Sequence, residues 1–391
     1  MINQLNHDLR VAPTKDERAR QEFVGALRSH VLGNMATHMR KHYHDRYAAK
    51  AEAKTGRDVH DAMQADAYFR YYSSIRYNAQ EMVHRSIVPP IARVHGNINE
   101  AAAAISAETS SFAALDPELE IPRSVTDIDV HLTPGSYHTE YAENDVAAGA
   151  RYDNSINVFA FNQMGKDTDD IGHTMSNYLR LTYPDFKPER ILDCGCTVGH
   201  NTLPWKQTFP DAMVTGIDVS APMMRYAAAR AGSTGIDVNF AQMNATALDF
   251  PDNHFDVVFS SMFLHELPVK DIRAYLAEAF RVLRPGGVLL TMELPPNSNL
   301  GPYEQFYLDW DCYYNNEPFY KPFRDQDPSQ LCGNAGFPAD AFFEFQAPRY
   351  TYMSEAEFVK QLNEGASYDD HTGTLTDGLR WYGFGSWKNK E

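Results

Sequence analysis

The sequence predicts an α/β fold, a mostly parallel sheet wound on both faces, joined to an N-terminal, mainly helical region. Three observations predict it. The run Ile191-Leu-Asp-Cys-Gly-Cys-Thr-Val-Gly199 is a short apolar strand ending in an acid, Asp193. It turns at once into a loop with small residues Gly195, Thr197 and Gly199 at alternate positions. A buried parallel strand that enters a helix through a tight turn has this pattern, and glycine there tolerates positive φ and lets the backbone approach a ligand. One βαβ step later, Val214-Thr-Gly-Ile-Asp218 repeats the strand and its terminal acid. Lys15 to Lys54, by contrast, consists of good helix formers with no proline after Pro13.

The elements follow in order. Lys15 to Lys54 predicts one long helix or two. Asp58 to Val88 predicts another, crowded with Tyr68, Phe69, Tyr71, Tyr72, Ile75 and Tyr77, and broken or kinked at Pro89-Pro90. Asn97 to Ala107 reads as a short alanine-rich helix. Asp116 to Gly135 takes no firm assignment, although Ile128-Asp-Val-His-Leu132 is β-like. After the two strands above come a third at Val238 to Ala245 and a fourth at Phe255 to Ser260. A helix from Lys270 to Leu283 shows one apolar face, Arg284-Pro-Gly-Gly287 breaks it, and Val288 to Glu293 is a fifth strand. An aromatic, acidic insertion follows at 297–335. Phe342 to Gln346 and Leu379 to Trp387 read as the last two strands, with a helix from Ser354 to Leu362 between them.

This order resembles the class I S-adenosylmethionine-dependent methyltransferases, especially the ubiquinone/menaquinone-biosynthesis-like group. Five motifs carry the resemblance, which runs from Glu189 to Pro296. They are Asp193-x-Gly195-x-Thr197-x-Gly199, Gly216-Ile-Asp218, Asn244-Ala245 ahead of Phe250-Pro-Asp-Asn-His-Phe-Asp256, Leu264-His265-Glu266, and Leu283-Arg-Pro-Gly-Gly287. The resemblance implies a Rossmann-like sheet of seven strands, the last antiparallel. The chain's length and helical N-terminus add a 1–150 helical cap or dimerisation region ahead of a 151–391 methyltransferase domain carrying the insertion. The resemblance also implies S-adenosyl-L-methionine as cofactor. A dinucleotide site would read G-x-G-x-x-G to hold a pyrophosphate, whereas here the spacing is G-x-T-x-G.

By the same resemblance, Asp193, Gly195, Cys196, Thr197 and Gly199 form the loop against the methionine end. Asp218 with Val219 takes the ribose, Asn244 and Ala245 read the adenine edge, and Ser261 ends strand four beside the cofactor. A lid tyrosine is expected ahead of the first core strand. Tyr152 is the first candidate, and Tyr137 or His138 the second. Two departures stand out: Thr197 replaces the central glycine, and Asn244 replaces the commoner Asp. His265 is the expected general base, because imidazole titrates near neutrality, with Glu266 beside it. Glu293 is expected to hold a polar group of the substrate. Tyr303, Tyr307 and Trp310 have helical spacing and either pack as a core face or roof a substrate pocket, where aromatics with carboxylates suit a flat or cationic small molecule.

Composition narrows the function. A net charge of −17 argues against a nucleic-acid substrate, which demands a basic face, although basic residues gather between Arg18 and Arg57. No apolar run reaches the ~20 residues of a membrane span, and no signal-peptide core opens the chain. Four cysteines without metal-ligand spacing imply neither disulfides nor zinc, so a cytoplasmic location is expected. His30, His38, His42 and His44 lack the acids that would complete a metal set. The expected function is methylation of a small molecule, at carbon or oxygen. The alternatives are a protein or RNA methyltransferase and a catalytically silent cofactor-binding partner. The helical extension is expected to support a homodimer.

Overall fold

The computed structural model describes residues 5–109, 111–365 and 379–389. Its strands are β1 (Ala113–Ala114), β2 (Arg190–Cys194), β3 (Met213–Asp218), β4 (Asn239–Gln242), β5 (Phe255–Ser261), β6 (Leu283–Glu293), β7 (Phe342–Pro348) and β8 (Arg380–Trp387). They form one sheet in the order β1-β4-β3-β2-β5-β6-β8-β7. β8 runs antiparallel to both its neighbours, and the other pairings are parallel. The expected seven strands are therefore joined by an eighth, the two-residue β1, which extends the edge beside β4. Arg284-Pro-Gly-Gly287 does not separate helix from strand as expected. β6 begins at Leu283 and runs through it, with Gly286 donating its N–H to Lys388 O at 2.9 Å.

Sheets of this kind bind ligands where the strand order reverses, beyond the carboxyl ends of the strands. Here that point lies beside β2, which is flanked by β3 on one side and β5 on the other. Asp193, Asp218, Ser261 and Glu293 all stand at or next to those carboxyl ends.

Part of the N-terminal helical region packs into the core of the sheet. Leu9, Val24, Val83 and Ile87 belong to the same buried cluster as Ile191, Val214 and Val257. The helix Ala147–Phe159 runs across residue 150 into that cluster. A second cluster fills the opposite face of the sheet with Leu192, Val258, Leu276 and Leu289.

Of the break or kink expected at Pro89-Pro90, the break is absent: one helix runs from Ala67 to Glu108 through both prolines. Proline removes the N–H that would bond the carbonyl four residues earlier. For Pro90 that carbonyl belongs to buried Ser86, and Gln21 Nε2 donates to it at 3.4 Å. A neighbouring helix thus supplies the missing donor. The insertion also takes one of its two expected roles in full. Its helix Pro302–Tyr314 turns Tyr303, Phe306 and Trp310 into a cluster with Met39, Tyr43, Phe69 and Tyr72 of the N-terminal helices.

Candidate active site

The loop after β2 is held on β3 by two hydrogen bonds, from Gly195 N–H and Cys196 N–H to Ile217 O at 2.9 and 3.0 Å. Gly195 has φ +75°, and a Cβ there would stand 2.3 Å from the ring of Phe263. Glycine is required by both backbone and neighbour. Thr197 adopts φ +46°. The left-handed conformation costs a residue with a Cβ about 1–2 kcal/mol, which explains why the family favours glycine here. The turn is kept because the Thr197 N–H donates to Asp218 Oδ2 at 3.1 Å.

Asp218 ends β3. Its Oδ1 accepts from Ser220 N–H at 3.0 Å. Burial pushes its pKa up to about 6, against the pull of the Ser220, Thr197 and Val219 N–H groups. Tyr152 covers the loop from the helix Ala147–Phe159, stacked on His200 at 5.7 Å and edge-on to Tyr137 at 5.5 Å. The next residue, Asp153, anchors the same helix. It pairs with His7 at 2.7 Å and His200 at 2.5 Å, and accepts from the Tyr226 hydroxyl at 2.6 Å. Burial opposes its charge, but His7 and His200 outweigh that and hold it well below the usual carboxylate range.

These groups open into a cavity of about 290 Å³. Gly195, Thr197, Asp218, Val219 and Tyr152 line one part. Apolar side chains, among them Leu32, Val125, Ile156, Phe159, Met164 and Leu308, line much of the rest. His131, His265, Glu266, Glu317 and Tyr320 make a polar wall. His265 Nδ1 sits 2.6 Å from Glu293 Oε2, while Glu293 Oε1 accepts from the Phe263 and Leu264 N–H groups. Burial disfavours charge on His265, but Glu293 more than offsets it and raises the pKa to about 9. Glu293 thus favours the protonated ring over the free base expected from its ordinary pKa. Glu266 Oε1 stands 3.6 Å from His265 Nε2 and 3.2 Å from His131 Nε2, so a carboxylate lies between the two rings.

Nine of the sequence-derived candidates line this cavity: Tyr137, Tyr152, Gly195, Thr197, Asp218, Val219, His265, Glu266 and Tyr307. Others act from behind it. Asp193 is buried and accepts from the Thr202 hydroxyl at 2.6 Å, bracing the following helix. Cys196 packs inward at Gly216, and Gly199 shapes the turn against Phe240. Ser261 Oγ accepts from Asn201 at 3.0 Å. Asn244 Oδ1 is committed to the Thr246 N–H and hydroxyl, both at 2.9 Å, leaving only its NH2 to address a base, and Ala245 is buried below it. Glu293 is fully buried and bonds His265, positioning it. Tyr303 and Trp310 lie in the helical core, where Trp310 Nε1 donates to Ser73 Oγ at 2.9 Å.

Residues 191–287 match the family model described as a methyltransferase domain. The chain is 38% identical over 109 residues to the demethylmenaquinone methyltransferase of Thermus thermophilus, 28% of this chain and 49% of that one. It is 32% identical over 125 residues to a fatty-acid O-methyltransferase of Mycolicibacterium smegmatis, 32% of this chain and 44% of that one. These matches thus span about half the length of the two relatives. The ubiquinone/menaquinone biosynthesis C-methyltransferase UbiE of Shewanella pealeana is matched at 30% identity over 181 residues, 43% of this chain and 68% of the relative. The chain belongs to the class I S-adenosylmethionine-dependent methyltransferases, in the ubiquinone/menaquinone-biosynthesis-like group. As a methyltransferase-family chain, it departs from the sequence expectation chiefly in what walls its cavity. Arg28, His84 and His131 come from outside the matched stretch and line the cavity with Glu317 and Tyr320 of the insertion.

Proposed function

We propose that this chain transfers the methyl group of S-adenosylmethionine to a small molecule held in the apolar part of the cavity. The observation that carries the reading is that Asp218, Thr197 and Tyr152 open into the same space as His265 and Glu266. Asp218 accepts from the ribose diol, Gly195 and Thr197 present backbone to the methionine end, and Tyr152 covers it. The bound cofactor supplies an electrophilic methyl on a good leaving group, so the protein's work is mainly alignment and exclusion of water. The apolar walls seat the acceptor. Glu266 faces it from the polar wall, held between His131 and His265, and receives the proton of an acceptor that arrives protonated.

A small acceptor fits better than a protein or RNA. N-terminal helices, lid helix and insertion all contribute to the cavity wall, and among the described residues no helix is long and apolar enough to cross a membrane. The name of one relative specifies carbon as acceptor and that of another oxygen, and both atoms suit a carboxylate acting as proton acceptor. A homodimer is proposed through the N-terminal helices, where Phe23 and Tyr71 are both 58% exposed. Sedimentation at a monomer mass would remove that part.

The test is incubation of the protein with methyl-labelled S-adenosylmethionine and fractionated extracts. Label in low-mass, solvent-extractable products supports the reading, with the rate sharply reduced in Glu266→Gln. Label confined to precipitable protein or RNA overturns it.

A further inference from the structure

The charges that line the cavity do not balance. Its carboxylates are already partnered. Asp218 accepts from backbone N–H groups, Glu266 and Glu317 flank His131 at 3.2 and 2.9 Å, and Asp311 pairs with Arg76 at 2.5 Å. Two guanidinium groups lining the same space, Arg28 and Arg151, hydrogen-bond only neutral groups among the described residues.

Arg28 is the more deeply set, at 1% exposure. Its Nε donates to Phe159 O and its Nη1 to Gln80 Oε1, both at 2.5 Å, and its Cζ lies 4.3 Å over the Phe159 ring. These partners fix the plane of the guanidinium and leave its charge without a counter-ion. Burial and the neighbouring Arg76 pull the Arg28 pKa down to about 9, more than Asp311 and Glu317 restore. Arg151 is 5% exposed, and its Nη1 donates to Pro134 O at 2.7 Å. Its Nε and Nη2 are buried with no partner among the described residues. Both cations act on His84, whose pKa is held down to about 4 by burial first and then by His131 and the two arginines. This stretch of wall is therefore positive, in a cavity otherwise lined largely by apolar side chains. A buried charge without a counter-ion is unfavourable, and a ligand that brings the counter-ion relieves it.

We propose that Arg28, with Arg151 beside it, binds a carboxylate carried by the acceptor, so that the substrate class is an acid with an apolar body. A planar carboxylate takes parallel N–H bonds from a guanidinium, which a hydroxyl or a neutral amide does not. This carboxylate is a handle and not the methylated group. Arg28 is tied to Phe159, which lies two turns past Tyr152 on the helix Ala147–Phe159, about 10 Å along its axis. That the bound acid is the methyl acceptor rests on the proposed function, whereas the anion site does not.

The experiment titrates the full chain by calorimetry with decanoate and with decanamide, which has nearly the same shape and no charge. S-adenosylhomocysteine is titrated into the same preparations. The expected result is one decanoate per chain, bound at least about tenfold tighter than decanamide. Arg28→Met should bring the two probes to near-equal affinity, and Arg151→Met should narrow the gap by a smaller factor. Arg28→Lys keeps a charge but not the planar donor pair. It should retain part of the preference, and it covers the case in which Arg28→Met does not fold. Equal binding of both probes by the wild type overturns the site, as does binding of neither. A preference unchanged in every folded Arg28 variant overturns it too. Cofactor binding without preference for decanoate overturns this inference alone, and preference for decanoate without cofactor binding overturns the methyl-transfer reading alone.

Discussion

Gly195 and Thr197 occupy left-handed positions two residues apart, under different constraints. At Gly195 the neighbour decides, because the Phe263 ring fills the space a Cβ would need. Gly195→Ala is expected to cost about 1–3 kcal/mol in urea unfolding, as overpacking does, and to weaken cofactor binding. At Thr197 only the backbone objects. Thr197→Gly relieves about 1–2 kcal/mol of left-handed strain. It adds back about 0.5–1 kcal/mol of chain entropy, so stability should change by no more than about 1 kcal/mol. A large change in either direction would contradict this assignment of the strain. Asp218 makes a pH prediction. In the proposed cofactor site its carboxylate, not its acid, accepts from the ribose, and burial raises its pKa to about 6. Protons therefore compete with cofactor. The dissociation constant for S-adenosylhomocysteine should rise as pH falls through about 6 and level off above it. Asp218→Asn should bind weakly with no inflection there, and an inflection persisting in that variant would assign the effect to another group.

Among the elements, the strands of the core were legible from residues alone, since apolar runs ending in Asp193 and Asp218 announce themselves. β1 was not, because two alanines pair only by virtue of lying along β4. The helix Ala67–Glu108 was misjudged for a physical reason. Local rules place a break at Pro89-Pro90, and the compensating donor, Gln21, lies 65 residues away in sequence. The account predicts coupling between the two positions. Gln21→Ala should cost about 1 kcal/mol in the wild type and close to nothing in Pro90→Ala, where the restored N–H takes over Ser86 O. Equal costs in both backgrounds, measured by urea unfolding, would show that Gln21 does not serve the helix. The site divides along the same line. Gly195, Thr197, Asp218, His265 and Glu266 lie within short motifs and were legible. His131 and Glu317 reach the cavity only through tertiary packing, with no local pattern to mark them.

At the scale of the whole molecule, the N-terminal helices, insertion and sheet share their buried clusters, and they wall one cavity together. Unfolding should therefore be a single cooperative event. Trp310→Ala, in the insertion, is expected to cost about 3–5 kcal/mol and to lower the thermal transition of cap and core together. A separate, unshifted transition for the core would show independent units. The central claim is that this one cavity begins in a cofactor site built on Asp218. Calorimetric titration of S-adenosylhomocysteine into wild type and Asp218→Ala tests it most directly. Micromolar binding by the wild type, weakened at least about tenfold in the variant (about 1.4 kcal/mol), is the predicted result. No binding by the wild type, or equal binding by both proteins, would contradict the account.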